Sequence, residues 1–70
     1  MRDQWLPAPS MRRALRESAG LTLRQAAEAV GVSSKMTVSR WERGLQTPRG
    51  EDRVRYSQFL RVLSEVVDGV

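Results

Sequence analysis

The sequence predicts an all-α fold, a small helical bundle of four to five helices. Apolar residues recur at i, i+3 and i+4 along most of the chain. Gly20, Gly31 and Gly44 each close one such stretch, where a left-handed residue ends a helix. With 70 residues there is room for one domain, and no cysteine is present to staple it. A content of 40% hydrophobic and 29% charged residues is that of a globular chain. The absence of Cys and His removes the usual soft metal ligands, and no metal or cofactor is expected. No apolar run approaches the roughly 18–20 residues that span a bilayer. The N-terminus lacks a signal peptide's apolar stretch, so a cytoplasmic protein with no membrane partner is expected.

Residues 1–9 contain Pro7 and Pro9 and read as an arm, followed by a helical domain over 10–70. Ser10 is the expected cap of a first helix whose apolar face is Met11, Ala14, Leu15 and Ser18 or Ala19. Thr22 and Gln25 have the spacing of a capping box, with Leu21 placed to staple onto Ala26. The second helix carries Ala26, Ala27, Ala29 and Val30, small residues that let another helix approach closely. Ser33 or Ser34 caps a third helix from Lys35 to about Arg43. Thr47-Pro48 suits the start of a fourth, and Glu51 and Asp52 favour the positive end of that helix. Residues 51–67 read as one continuous helix with a stripe of Val54, Tyr56, Phe59, Leu60, Leu63, Val66 and Val67. Trp5 and Leu6 are expected to fold back on the core, the alternative being contact with a partner chain.

The third helix has two faces. At about 100° per residue, Val38, Trp41 and Leu45 share one side, facing a core. Met36, Ser39, Arg40 and Arg43 lie nearly opposite, a face with cations and hydroxyls but no acid. Such a helix fits the DNA major groove, where arginine binds guanine through two hydrogen bonds; an ordinary solvated face with two arginines is the alternative. Glu42 sits at the helix end where the dipole disfavours an anion. A cationic partner is expected for it, and Arg16 is available, unless the carboxylate simply faces water. The formal charge is +4, and eleven of the twelve basic residues are Arg, with Lys35 the exception. That skew suits phosphates and guanine edges, though an Arg-rich codon usage would produce it equally.

Residues 16–22 (Arg-Glu-Ser-Ala-Gly-Leu-Thr), 27–33 (Ala-Glu-Ala-Val-Gly-Val-Ser) and 37–44 (Thr-Val-Ser-Arg-Trp-Glu-Arg-Gly) together resemble the Xre/Cro/C1-repressor helix-turn-helix family. The resemblance spans about residues 11–49. It implies a scaffold of two helices and a recognition helix whose N-terminal half enters the major groove. It places Ala27 at the close helix crossing, Gly31 at the turn, and Val32, Val38 and Trp41 at buried positions. Arg16 and Glu42 fall on an ion pair between the first and recognition helices. Lys35, Met36 and Arg40 fall on base-reading positions, flanked by Ser39. Ser34 and Arg43 fall near phosphate-contacting positions, and Arg49 on a basic position reaching the backbone or minor groove. In three respects the chain departs from the family pattern. Three residues rather than two separate Gly-Val-Ser from Thr-Val, which shifts the assignments at Ser33, Ser34 and Lys35 by up to one position. Leu23 replaces a phosphate-gripping Gln, leaving that work to Arg24 or to the helix's own amides. The family's two short final helices are here one.

These readings lead to a sequence-specific regulator of double-stranded DNA, a small phage-type or bacterial repressor without catalytic activity. The chain is short enough to be expected complete, with no ligand-sensing domain. A homodimer on a palindromic site is expected, because one domain of this size makes few phosphate contacts. The alternative is a protein-interaction module on the same fold, antitoxin-like or a transcription accessory factor. Without His, Cys or clustered carboxylates, no general base or nucleophile of the usual kind is on offer.

Overall fold

A computed structural model describes residues 5–68. Four helices follow in order: α1 (Pro9–Ser18), α2 (Leu23–Val30), α3 (Lys35–Glu42) and α4 (Gly50–Asp68). α1 packs on α3 and α4, and α2 likewise packs on both. The bundle is all-α, and its last helix is single and 19 residues long, as the stripe over 51–67 implied.

The starts and stops follow local chemistry. Thr22 and Gln25 form the capping box in both directions, Gln25 N–H to Thr22 Oγ1 at 3.1 Å and Thr22 N–H to Gln25 Oε1 at 2.9 Å. Gly31, at φ 91°, ends α2 with its N–H on the Ala27 carbonyl. Ser34, rather than Ser33, caps α3 by accepting the Met36 N–H at 3.1 Å. Lys35 and Met36 thereby belong to the first turn of α3. Gly44 combines a φ of +73° with close approach of Pro9, whose Cγ would lie 3.2 Å from an added Cβ. A side chain there is disfavoured twice, by the left-handed backbone and by the tight approach of Pro9 at the start of α1.

Four expectations change. Ser10 is not the cap of α1: the helix begins one residue earlier, with Pro9 in its first turn and Ala8 outside it making no side-chain cap bond. Proline suits that position because its missing N–H has no intrahelical acceptor there. The buried face of α1 is Arg12 and Leu15, whereas Met11 is 50% exposed and Ala14 is exposed too. Leu45 is 69% exposed, because the chain turns at Gly44 before it can continue the Val38–Trp41 face. Pro48 is buried but precedes α4 by two residues rather than opening it.

The core is built on Val30, Val38, Trp41, Tyr56 and Leu60, with Ala26 and Ala27 permitting the close α2 crossing. Val32 is only half-buried against it, and Trp5 and Leu6 pack there from the arm. The first four residues of the expected arm lie outside the described residues. Trp5 also lies under the Arg61 guanidinium, 4.7 Å from the ring centroid. Trp41 and Tyr56 meet at 4.6 Å between centroids with a 40° tilt, a geometry that avoids the disfavoured face-to-face sandwich.

Tyr56 is 1% exposed, and its hydroxyl finds no hydrogen-bond partner among the described residues. Burial pushes its pKa well above the ordinary 10.0, Glu42 adds to the effect, and Arg12 and Arg16 oppose it. The unfolded chain therefore loses the phenolic proton first. Stability is expected to fall as pH rises past 10.0, by about 1.4 kcal/mol per pH unit while only the unfolded form ionises. Tyr56→Phe is expected to remove this alkaline loss while leaving stability at pH 7 within about 1 kcal/mol. Denaturant titrations of both proteins at pH 8 and pH 11 test it, and an equal alkaline loss in both would refute it.

Candidate nucleic-acid interface

Two arginines of α1 tie α3 to the rest of the bundle. Arg16 reaches Glu42 with a two-pronged contact, Nε to Oε2 at 2.6 Å and Nη2 to Oε1 at 3.1 Å. Its third nitrogen, Nη1, donates to the Leu21 carbonyl at 2.7 Å and so holds the α1–α2 turn as well. The side chains are 11% and 5% exposed, so little water screens the pair. The hydrogen bond to Glu42 raises the Arg16 pKa, against an opposing effect of burial. The ion pair expected from the dipole argument is thus present, and Glu42 does not face water.

The second arginine was not apparent in the sequence. Arg12 is 8% exposed, with Nε donating to the Pro7 carbonyl at 2.7 Å and Nη1 to the Trp41 carbonyl at 2.9 Å. It ties the arm to the last turn of α3, where carbonyls lack intrahelical donors and a cation is favoured. Burial lowers its pKa, Tyr56 partly restores it, and Arg53 lowers it further. The available signal was its position three residues before Leu15, on the same face of α1.

With those anchors in place, the outer side of α3 carries the candidate residues. Lys35, Met36, Arg40 and Arg43 are exposed, and Ser39 is half-buried between them. Glu42, the one acid in residues 35–43, is turned inward. Arg43 folds back along the helix, its Nε 3.4 Å from the Ser39 carbonyl. One shallow groove lies at the turn between α2 and α3, and another lies between α1, the start of α2 and the end of α3. Arg24, Ser34 and Lys35 share one with Glu28. Ser39 and Arg43 share the other with Leu23 and the Arg16–Glu42 pair. Leu23 is half-buried against the core, consistent with its unsuitability for gripping phosphate, while Arg24 beside it is exposed. Arg49 lines a third and larger cavity with Thr37 of α3, the Gly44–Pro48 turn and Asp52.

Among the described residues, no cluster of three or more His, Cys, Asp or Glu is placed to hold a metal ion. No described helix is long and apolar enough to cross a membrane. Comparison with curated proteins and with solved structures found no match. The helix-turn-helix family matches residues 13–65, which takes in all of α2 and α3 and most of α1 and α4. The chain therefore belongs to the Cro/C1-type helix-turn-helix family of DNA-binding regulators.

Proposed function

We propose that the chain is a sequence-specific repressor of transcription that lays α3 in the major groove of duplex DNA. The observation that carries this reading is the one-sided charge of α3. Its cations face solvent, while its only acid, Glu42, is withdrawn onto Arg16. Lys35, Met36, Ser39 and Arg40 are the base-contacting residues in this reading. Arg24, Ser34 and Arg43 meet phosphate on either side, and Arg49 reaches the backbone or the minor groove from the turn after α3. Phosphate contacts supply affinity and position, whereas base-edge contacts supply specificity. Repression follows from occupancy of a site that the transcription machinery needs. The protein acts in the cytoplasm, without cofactor, metal or catalytic step.

Selection of bound sites from a random duplex pool, followed by titration at two salt concentrations, tests the proposal. Arg40→Ala is expected to cost about 1–3 kcal/mol in binding and to relax preference at one base pair. Equal affinity of parent and variant for the selected site would remove α3 from the groove. A palindromic selected site would support a homodimer, and an asymmetric one would refute it.

A second reading is favoured by one observation. On α4, Val62 and Val66 are 55% and 57% exposed. As an interaction module, the chain would use that face on a protein partner and leave α3 idle. Absence of salt-dependent binding to any duplex would favour this reading over the first.

A further inference from the structure

The exposed large hydrophobic residues of the described chain are Met11, Met36, Leu45, Val62 and Val66. Only Met36 lies within α3, where it is 43% exposed on the face that bears Lys35 and Arg40. Its position on the helix is set by the backbone. The Met36 N–H is held by the capping hydroxyl of Ser34 at 3.1 Å, and Val38 and Trp41 anchor the opposite side of the helix in the core. Its exposed neighbours on that face are cationic, so an apolar protein partner would have to desolvate them.

A thioether is at best a weak acceptor and cannot read the donor and acceptor pattern of base edges. The major groove offers one apolar feature, the C5-methyl group of thymine. Methionine's three rotatable bonds let it adapt to such a group. Met36 and Arg40 are four residues apart on one face, a rise of about 6 Å, against about 3.4 Å per base pair.

We propose that Met36 reads the methyl group of a thymine within about two base pairs of the guanine contacted by Arg40. The inference rests on DNA reading by α3 and deepens it, naming the feature of the site that an apolar residue there selects. The operator half-site would then contain a guanine with a thymine close by.

The test replaces each thymine of the selected site in turn by deoxyuridine, which keeps every hydrogen-bonding group and removes only the methyl. Affinities are measured for the full chain and for Met36→Ala and Met36→Leu at one salt concentration. In each half-site, one replacement is expected to weaken the parent on the order of fourfold, the worth of one buried methyl group converted at 1.4 kcal/mol per tenfold. Met36→Ala is expected to bind the thymine and uracil sites alike, and Met36→Leu to keep the discrimination. Because the side chain is exposed, both variants should melt with the parent, which separates lost reading from lost folding. A specifically bound site that tolerates uracil everywhere overturns the inference and leaves DNA reading intact. Discrimination that persists in Met36→Ala also overturns it, by assigning the methyl contact to another side chain. If no site is selected at all, the DNA reading fails and this inference fails with it.

Discussion

Arg16→Ala is expected to destabilise the fold by about 3–5 kcal/mol, a large part of what a 70-residue domain possesses. The cost lies in what remains behind. Glu42 is 7% exposed, and without Arg16 its carboxylate stays buried with neither its fork partner nor water. The Leu21 carbonyl loses its donor at the same time. Replacing both members, Arg16→Met with Glu42→Leu, is expected to recover much of the loss, since an apolar pair of similar volume leaves no charge uncompensated. Denaturant titration of the single and double variants measures it. A double variant no more stable than Arg16→Ala would show that the cost does not come from an uncompensated Glu42 charge and would place it in the lost bond to the Leu21 carbonyl. The exposed Arg13–Glu17 pair, at 3.3 Å on the surface of α1, is the contrasting case, worth only about 0.3–0.5 kcal/mol.

Trp41→Ala is expected to cost about 3–5 kcal/mol as well, through loss of buried area and the cavity left behind. Trp41 is 2% exposed and packs its ring at a tilt against Tyr56, and the carbonyl of the same residue accepts from Arg12. The residue thus joins the inner face of α3 to α4 by its ring and to α1 by its backbone. Thermal melting followed by circular dichroism checks the effect. A shift equivalent to less than about 1 kcal/mol would mean that α3 is held chiefly by its arginine contacts.

Much of this arrangement was legible in the sequence because it is local. The capping box at Thr22 and Gln25, the left-handed Gly31 and the continuous α4 each depend on residues within a few positions of one another. The Arg16–Glu42 pair is 26 residues apart, yet it was legible because an anion at a helix C-terminus needs a partner. What stayed hidden depends on the returning arm and on where the chain turns. Arg12 looks like a solvated residue of a surface helix until Pro7 and Trp41 bring two carbonyls to it. Met11 and Leu45 look like core until the axis of α1 and the turn at Gly44 are known. In the candidate interface, the faces of α3 could be read from periodicity. The grouping of Arg24 with Ser34 and Lys35 in one groove, and of Arg49 with Thr37 in another, required the tertiary turn.

The buried forks of Arg12 and Arg16 bear on how far the basic residues of this chain are interchangeable. Arg16 uses all three guanidinium nitrogens, two on Glu42 and one on Leu21, and Arg12 uses two. A lysine ammonium is one compact centre and cannot span both Glu42 oxygens and the Leu21 carbonyl at once. Exchanging every arginine for lysine would preserve the net charge of +4 and the long-range attraction for an anionic partner. The scaffold beneath that charge would come apart at two points. The abundance of arginine therefore has a structural component at Arg12 and Arg16, set by shape rather than by sign.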